Sequence, residues 1–229
     1  MKKLSLLGVL LALAIAPAAL AATITGTQTP GAHYADGGEI TAVTTPPVLL
    51  GMPAPSGPPA FQTFCIESQV LFNNGATYNY SLTQTDHSGN PLTVGAAWLF
   101  AQFSAGTLSG YDYTIGNGRI ESAGGLQEAL WDLQGQSIPS AFLNNPAVDS
   151  KAGLFVAMAQ AAAGSDAAAR LAANGAFGAS VISLTDLAGA PAQDWLAIAQ
   201  VTVPDGGTTI ALLGFALVGV EALRRKLAR

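Results

Sequence analysis

Cysteine, histidine and basic side chains are nearly missing from this chain, and each shortage excludes a class of function. Cys65 is the single cysteine among 229 residues, so no disulfide closes within the chain. An unpaired thiol therefore needs its own explanation wherever the surroundings are oxidising. His33 and His87 are the only histidines. Both sit in turn-rich polar contexts with no Cys or His at metal-ligand spacing, so no metal or cofactor is expected. Between Thr23 and Val203 three basic residues (Arg119, Lys151, Arg170) face twelve acidic ones, a formal charge of −9. Nucleic acid is therefore not an expected partner, and the acidic middle reads as a solvated surface.

Catalytic motifs are also missing. There is no G-x-S-x-G elbow, no P-loop and no H-E-x-x-H, so no enzyme is expected. Glu128 and Asp132 lie four apart on one face of a predicted helix. Glycosidase carboxylates must flank a bond from opposing elements, so this pair is expected to be a solvated helix face. Asn79-Tyr80-Ser81 matches a glycosylation acceptor, a pattern too short to carry weight by itself.

What the chain does have lies first at its ends, where six of the nine cations sit (Lys2, Lys3, Arg224, Arg225, Lys226, Arg229). Lys2-Lys3, the apolar run Leu4 to Ala16, Pro17 and the small exit residues up to Ala22 have the three parts of a secretory signal peptide. Residues 1–22 are expected to be removed, with cleavage after Ala21 or Ala22. At the other end, Thr208 to Leu223 is apolar except for Glu221 and runs into Arg224-Arg225-Lys226. That is near the short limit for a membrane helix, with a basic stop that stays cytoplasmic. Val203-Pro204-Asp205-Gly206-Gly207 precedes it. Break, short helix and basic tail together resemble the PEP-CTERM class of sorting signals, most closely the variant beginning Val-Pro-Asp-Ser-Gly, with Gly206 in place of Ser. The resemblance implies processing by an exosortase, a membrane protease-transpeptidase, with membrane seating through the C-terminal helix beforehand. An ordinary tail anchor is the alternative.

Four segments follow: the signal peptide at 1–22, a Thr/Gly/Pro-rich arm at 23–60, an exported globular domain at 61–202, and the sorting and anchoring segment at 203–229. Pro46-Pro47, Pro53, Pro55 and Pro58-Pro59 argue against a helix or central strand in the arm. From Phe61 the parity alternates, with Phe64, Ile66, Val70 and Phe72 on one side and Thr63, Cys65, Glu67 and Gln69 on the other. Cys65 is thus expected off the apolar face. Asn73-Asn74-Gly75 and the alternation through Leu82 predict a β-hairpin. Further strands are expected at Tyr111 to Ile115, Ala179 to Leu184 and Trp195 to Val203. Helices are expected at Thr93 to Phe103, at Gly125 to Leu133 with a Leu126, Ala129, Leu130, Leu133 stripe, and at Asp149 to Ala163. Without a βαβ rhythm this predicts an α+β fold: a β-rich domain with a small helical subdomain, flanked by the signal peptide and the C-terminal membrane helix.

Phe64-Cys65-Ile66-Glu67 and the later Gln127, Ala129, Leu130 and Trp131 resemble the Cys and Gln motifs of the thioester domains of Gram-positive surface adhesins. Leu126 stands where that family usually has Thr. The resemblance spans about residues 61 to 135 and implies a Cys65–Gln127 crosslink that an amine can open. A thiolate attacks a carboxamide, ammonia leaves, and the thioester acylates an incoming amine. The expected function is that of an exported surface or matrix protein that binds amine-bearing targets covalently. The alternative is a structural envelope protein with no reactive bond.

Overall fold

The computed structural model describes residues 22–71 and 73–198. Strand β1 (Thr23–Tyr34) and strand β2 (Gly37–Thr45) pair antiparallel, with Ile24 opposite Thr44 and Gln28 opposite Ile40. Their register shifts between Gln28 and His33. Pro30, which has no N–H to donate, and Gly31 at φ +72° lie within that irregularity. The expectation that 23–60 holds no central strand fails here, because most of its prolines fall after Thr45. The segment beyond contributes only β3 (Met52–Pro53), at the sheet edge, where a missing N–H costs least.

Four further strands complete the sheet: β4 (Phe61–Thr63), β5 (Thr77–Thr83), β6 (Ala179–Thr185) and β7 (Trp195–Ile198). The order is β3-β4-β2-β1-β5-β6-β7, all antiparallel. The expected β4–β5 hairpin is not formed, since β5 pairs with β1 and β6 instead. The turn chemistry at 73–75 serves another purpose and docks on β1. Gly75 N–H donates to Gly26 O at 2.8 Å, and Asn74 Oδ1 accepts Gln28 N–H at 2.9 Å.

The helices all fall between β5 and β6 in the chain: α1 (Val94–Ser104), α2 (Asn117–Leu133), α3 (Pro146–Ala163) and α4 (Asp166–Ala169). Thr93 caps α1 by accepting Ala96 N–H, and Asn145 caps α3 with Pro146 in its first turn. Helix α2 begins eight residues before the expected Gly125. Gly124 and Gly125 are interior helix positions, and close packing explains both. A Cβ at 124 would lie 2.8 Å from the Tyr34 ring, and one at 125 would lie 2.4 Å from Lys151 Cβ. The expected strand at Tyr111 to Ile115 is a loop. Its alternation reflects Tyr111 and Tyr113 packing against Phe103, not a ladder.

Two apolar clusters result. The first joins Phe64 and Ile66 to α1, α2 and α3 through Phe100, Phe103, Leu126, Leu130 and Phe155. The second gathers Ile24, Ile40, Phe61, Cys65, Trp131, Phe142 and Trp195. Parity along 61–66 separated the two sides correctly, but both sides are interior, so Cys65 is fully buried and not on a polar face. The architecture is α+β, a seven-stranded antiparallel sheet with helices. Among the described residues no helix is long and apolar enough to cross a membrane. The expected signal peptide, apart from Ala22, and the expected C-terminal membrane helix lie outside the described residues.

Candidate functional site

Cys65 lies two residues past β4 and bridges Trp195 at the start of β7. Its chain neighbours make the ladder bonds: Leu196 N–H donates to Phe64 O at 3.0 Å and Ile66 N–H to Asp194 O at 3.1 Å. In an antiparallel ladder alternate residues direct their N–H and C=O to opposite sides. The Cys65 peptide groups therefore point away from β7, and no strand meets them. Gln127 of α2 does. Cys65 N–H donates to Gln127 Oε1 at 3.2 Å, and Gln127 Nε2 donates to Cys65 O at 2.7 Å. The carboxamide supplies the donor–acceptor pair of one peptide unit, and both residues have zero exposure.

The Cys65 thiol sits in the second apolar cluster. Burial, and secondarily the charge of Glu67, push its pKa up, far above the ordinary thiol range. It is therefore held as the neutral thiol. Backbone closes the site at Gly37, where a Cβ would lie 2.8 Å from Gln127 Cγ and from Phe142 Cζ. The residues around Gln127 serve packing: Leu126, Ala129, Leu130 and Trp131 are all buried. The two motifs, distant in sequence, thus meet through one side chain and one backbone.

A second constellation escapes sequence reasoning, because its members come from three separate loops. Glu67, His87 and Asp194 bring one ligand-type atom each to within 4.8 Å of one another. His87 Nδ1 lies 2.8 Å from Asp194 Oδ1, so this histidine is not the isolated loop residue its context suggests. Asp194 also accepts the Leu184 and His87 N–H groups at 2.8 and 2.9 Å, and its own N–H donates to Glu67 Oε2 at 3.1 Å. Burial pushes Asp194 up to about 6 against the backbone donors and His87, and burial also raises Glu67. No motif spacing could have signalled this cluster; only the odd burial of two acids marks it.

Glu128 and Asp132 also depart from expectation. They are not a freely solvated face but line a cleft of about 330 Å³ with Asp149 of α3. Burial first, then the charges of Asp149 and Asp132, push Glu128 up to about 7. Asp132 is held by Arg170 at 3.0 Å. Asp149 adds a third like charge from the neighbouring helix.

The sorting residues Val203, Pro204, Asp205, Gly206 and Gly207 and the basic stop Arg224, Arg225 and Lys226 lie outside the described residues, so their assignment rests on sequence comparison. No curated protein and no solved structure matches the chain significantly. Residues 202–227 match the family model of the VPDSG-CTERM motif. The chain thus carries a PEP-CTERM-class sorting signal, the mark of an exported, cell-envelope-associated protein.

Proposed function

We propose that this is an exosortase-processed surface or matrix protein whose domain attaches covalently to amine-bearing targets through a Cys65–Gln127 thioester. One observation supports the reading: the buried Gln127 carboxamide is docked at both ends on the residue that carries the only thiol. The Cys65 N–H already donates to the carbonyl oxygen that would take up negative charge, as an oxyanion donor must. In the reaction Cys65 Sγ bonds to the Gln127 carboxamide carbon and the C–N bond breaks. The thiol proton leaves with the amide nitrogen as ammonia. A primary amine then attacks the Gln127 acyl carbon, the C–S bond breaks, and an amide forms at Gln127 as the thiol is returned with the amine's proton. No turnover follows, so the proposal assigns no enzyme activity.

A second reading, a structural envelope protein without the bond, draws on the same geometry. Gln127 satisfies two peptide groups that β7 leaves over, and burial disfavours the thiolate. Intact mass of the mature protein separates the two. A thioester makes it lighter by one ammonia, and methylamine then adds at Gln127. Resistance of folded protein to alkylation decides nothing, because burial alone protects Cys65. Alkylation must be done after denaturation, at acidic to neutral pH. An unmodified mass with one fully alkylated thiol would leave the structural reading.

A further inference from the structure

Three facts make the Glu67–His87–Asp194 cluster unusual. First, two buried carboxylates and an imidazole converge from the loop after β4, the turn at 86–90 and the residue before β7, with ligand-type atoms within 4.8 Å. Second, a third buried acid, Asp86, directly precedes His87 in the chain. Third, every Lys and Arg among the described residues is engaged elsewhere. Arg119 forks onto Glu39 at 2.6 and 2.7 Å, Lys151 donates to Gly110 O, and Arg170 binds Asp132 and Asp166. Asp86 is met by the Asn90 N–H and Nδ2 groups, so Glu67 and Asp194 are left with one imidazole between them, and buried negative charge without a matching cation is costly.

We propose that Glu67, His87 and Asp194 form a site for a divalent transition metal ion of the zinc class. The ion takes the place of the proton shared by His87 Nδ1 and Asp194 Oδ1, and Glu67 supplies the third ligand. One imidazole and two carboxylates suit zinc-type ions better than calcium, which takes six to eight oxygens as a rule. The carboxylates are already oriented. Leu184 and His87 N–H groups hold Asp194, and Asp194 N–H holds Glu67, the outer hydrogen bonding that ligating carboxylates normally have. The His87 side chain is 23% exposed while Asp194 is sealed, so the ion enters from the His87 side and keeps a water there. Its role is to tie three loops together; it needs no thioester.

The test titrates Zn²⁺, Mn²⁺ and Ca²⁺ separately by calorimetry into chelator-treated full-length protein in detergent, with melting followed in parallel. One equivalent of Zn²⁺ should bind and raise the melting temperature. His87→Ala should weaken binding by at least about tenfold and abolish the melting shift. Glu67→Gln, which keeps an acceptor for Asp194 N–H, should act in the same direction and guards against a misfolded first variant. Absence of saturable Zn²⁺ binding would overturn the site, as would wild-type Zn²⁺ affinity in both variants. Ca²⁺ binding as tight as Zn²⁺ binding would overturn the choice of ion class.

Discussion

The two apolar clusters of this domain are built on different rules. Around Phe103 the contents are hydrocarbon and aromatic edges: Phe64 meets it at 5.0 Å and Tyr111 at 5.1 Å, both edge-on. Around Trp131 and Trp195 the interior also holds a thiol, and it abuts a fully buried carboxamide. The first cluster is described mostly by volume and packing, although the Tyr111 hydroxyl also donates to buried Glu39 Oε1. The second must also satisfy the Cys65 peptide groups, and its specificity rests on two hydrogen bonds. Packing can be rebuilt from many sequences, whereas a lone donor–acceptor pair accepts few side chains besides Gln.

The comparison can be broken most severely in the first cluster. Phe103→Ala should cost about 3–5 kcal/mol, read as a lowered urea midpoint with unchanged slope. A smaller loss would mean that the aromatic neighbours collapse into the space. In the second cluster, Gln127→Leu keeps apolar volume but strands the Cys65 N–H and C=O, each at about 1–3 kcal/mol. Cys65→Ala, which leaves both backbone bonds in place, should cost clearly less than Gln127→Leu in the same unfolding experiment. The reverse order would show that thiol packing, not the carboxamide, governs this side.

Gly37→Ala sharpens the same contrast. Its Cβ would press on Gln127, Phe142 and Trp131 at 2.8 to 3.0 Å, so an overpacking loss of about 1–3 kcal/mol is expected. Thermal melting checks it, and an unchanged midpoint would mean that Gln127 has room to yield. The smallest effect lies at the outer cleft. Glu128 is raised from 4.5 to about 7, so between these pH values the folded state holds more protons than the unfolded one. That contribution is fully present below about 4.5 and is lost as pH rises through about 7. Glu128→Gln should flatten this part of the stability–pH curve and raise the melting temperature at pH 8. A curve identical to that of the wild type would remove the assigned shift.

Much of this could be read locally. Helices α1 and α3 announced themselves by Ala-rich composition, although α3 starts at Pro146, three residues before the expected Asp149; strands were expected where β6 and β7 lie, the expected stretch 199–203 falling outside the described residues; and the Leu126, Ala129, Leu130, Leu133 stripe is buried throughout. Strand partners could not be read in the same way. The turn at 73–75 has hairpin chemistry, yet β5 joins β1, because pairing is settled by which faces the sheet must cover and not by the nearest turn. Proline density misled over 23–45 because it was averaged across a segment whose prolines cluster at one end.

By itself the sequence determined the sorting signal and the α+β class, since these rest on residue type, order and short-range periodicity; Cys65 and Gln127 were singled out only by the resemblance of their motifs to thioester domains. Only the tertiary structure decided that Cys65 is interior on a two-sided core and that Gln127 completes its peptide bonding. It alone also showed that His87 stands with Glu67 and Asp194 while every Lys and Arg among the described residues is engaged elsewhere. Burial and charge balance depend on what packs from elsewhere in the chain, and no local pattern carries that information.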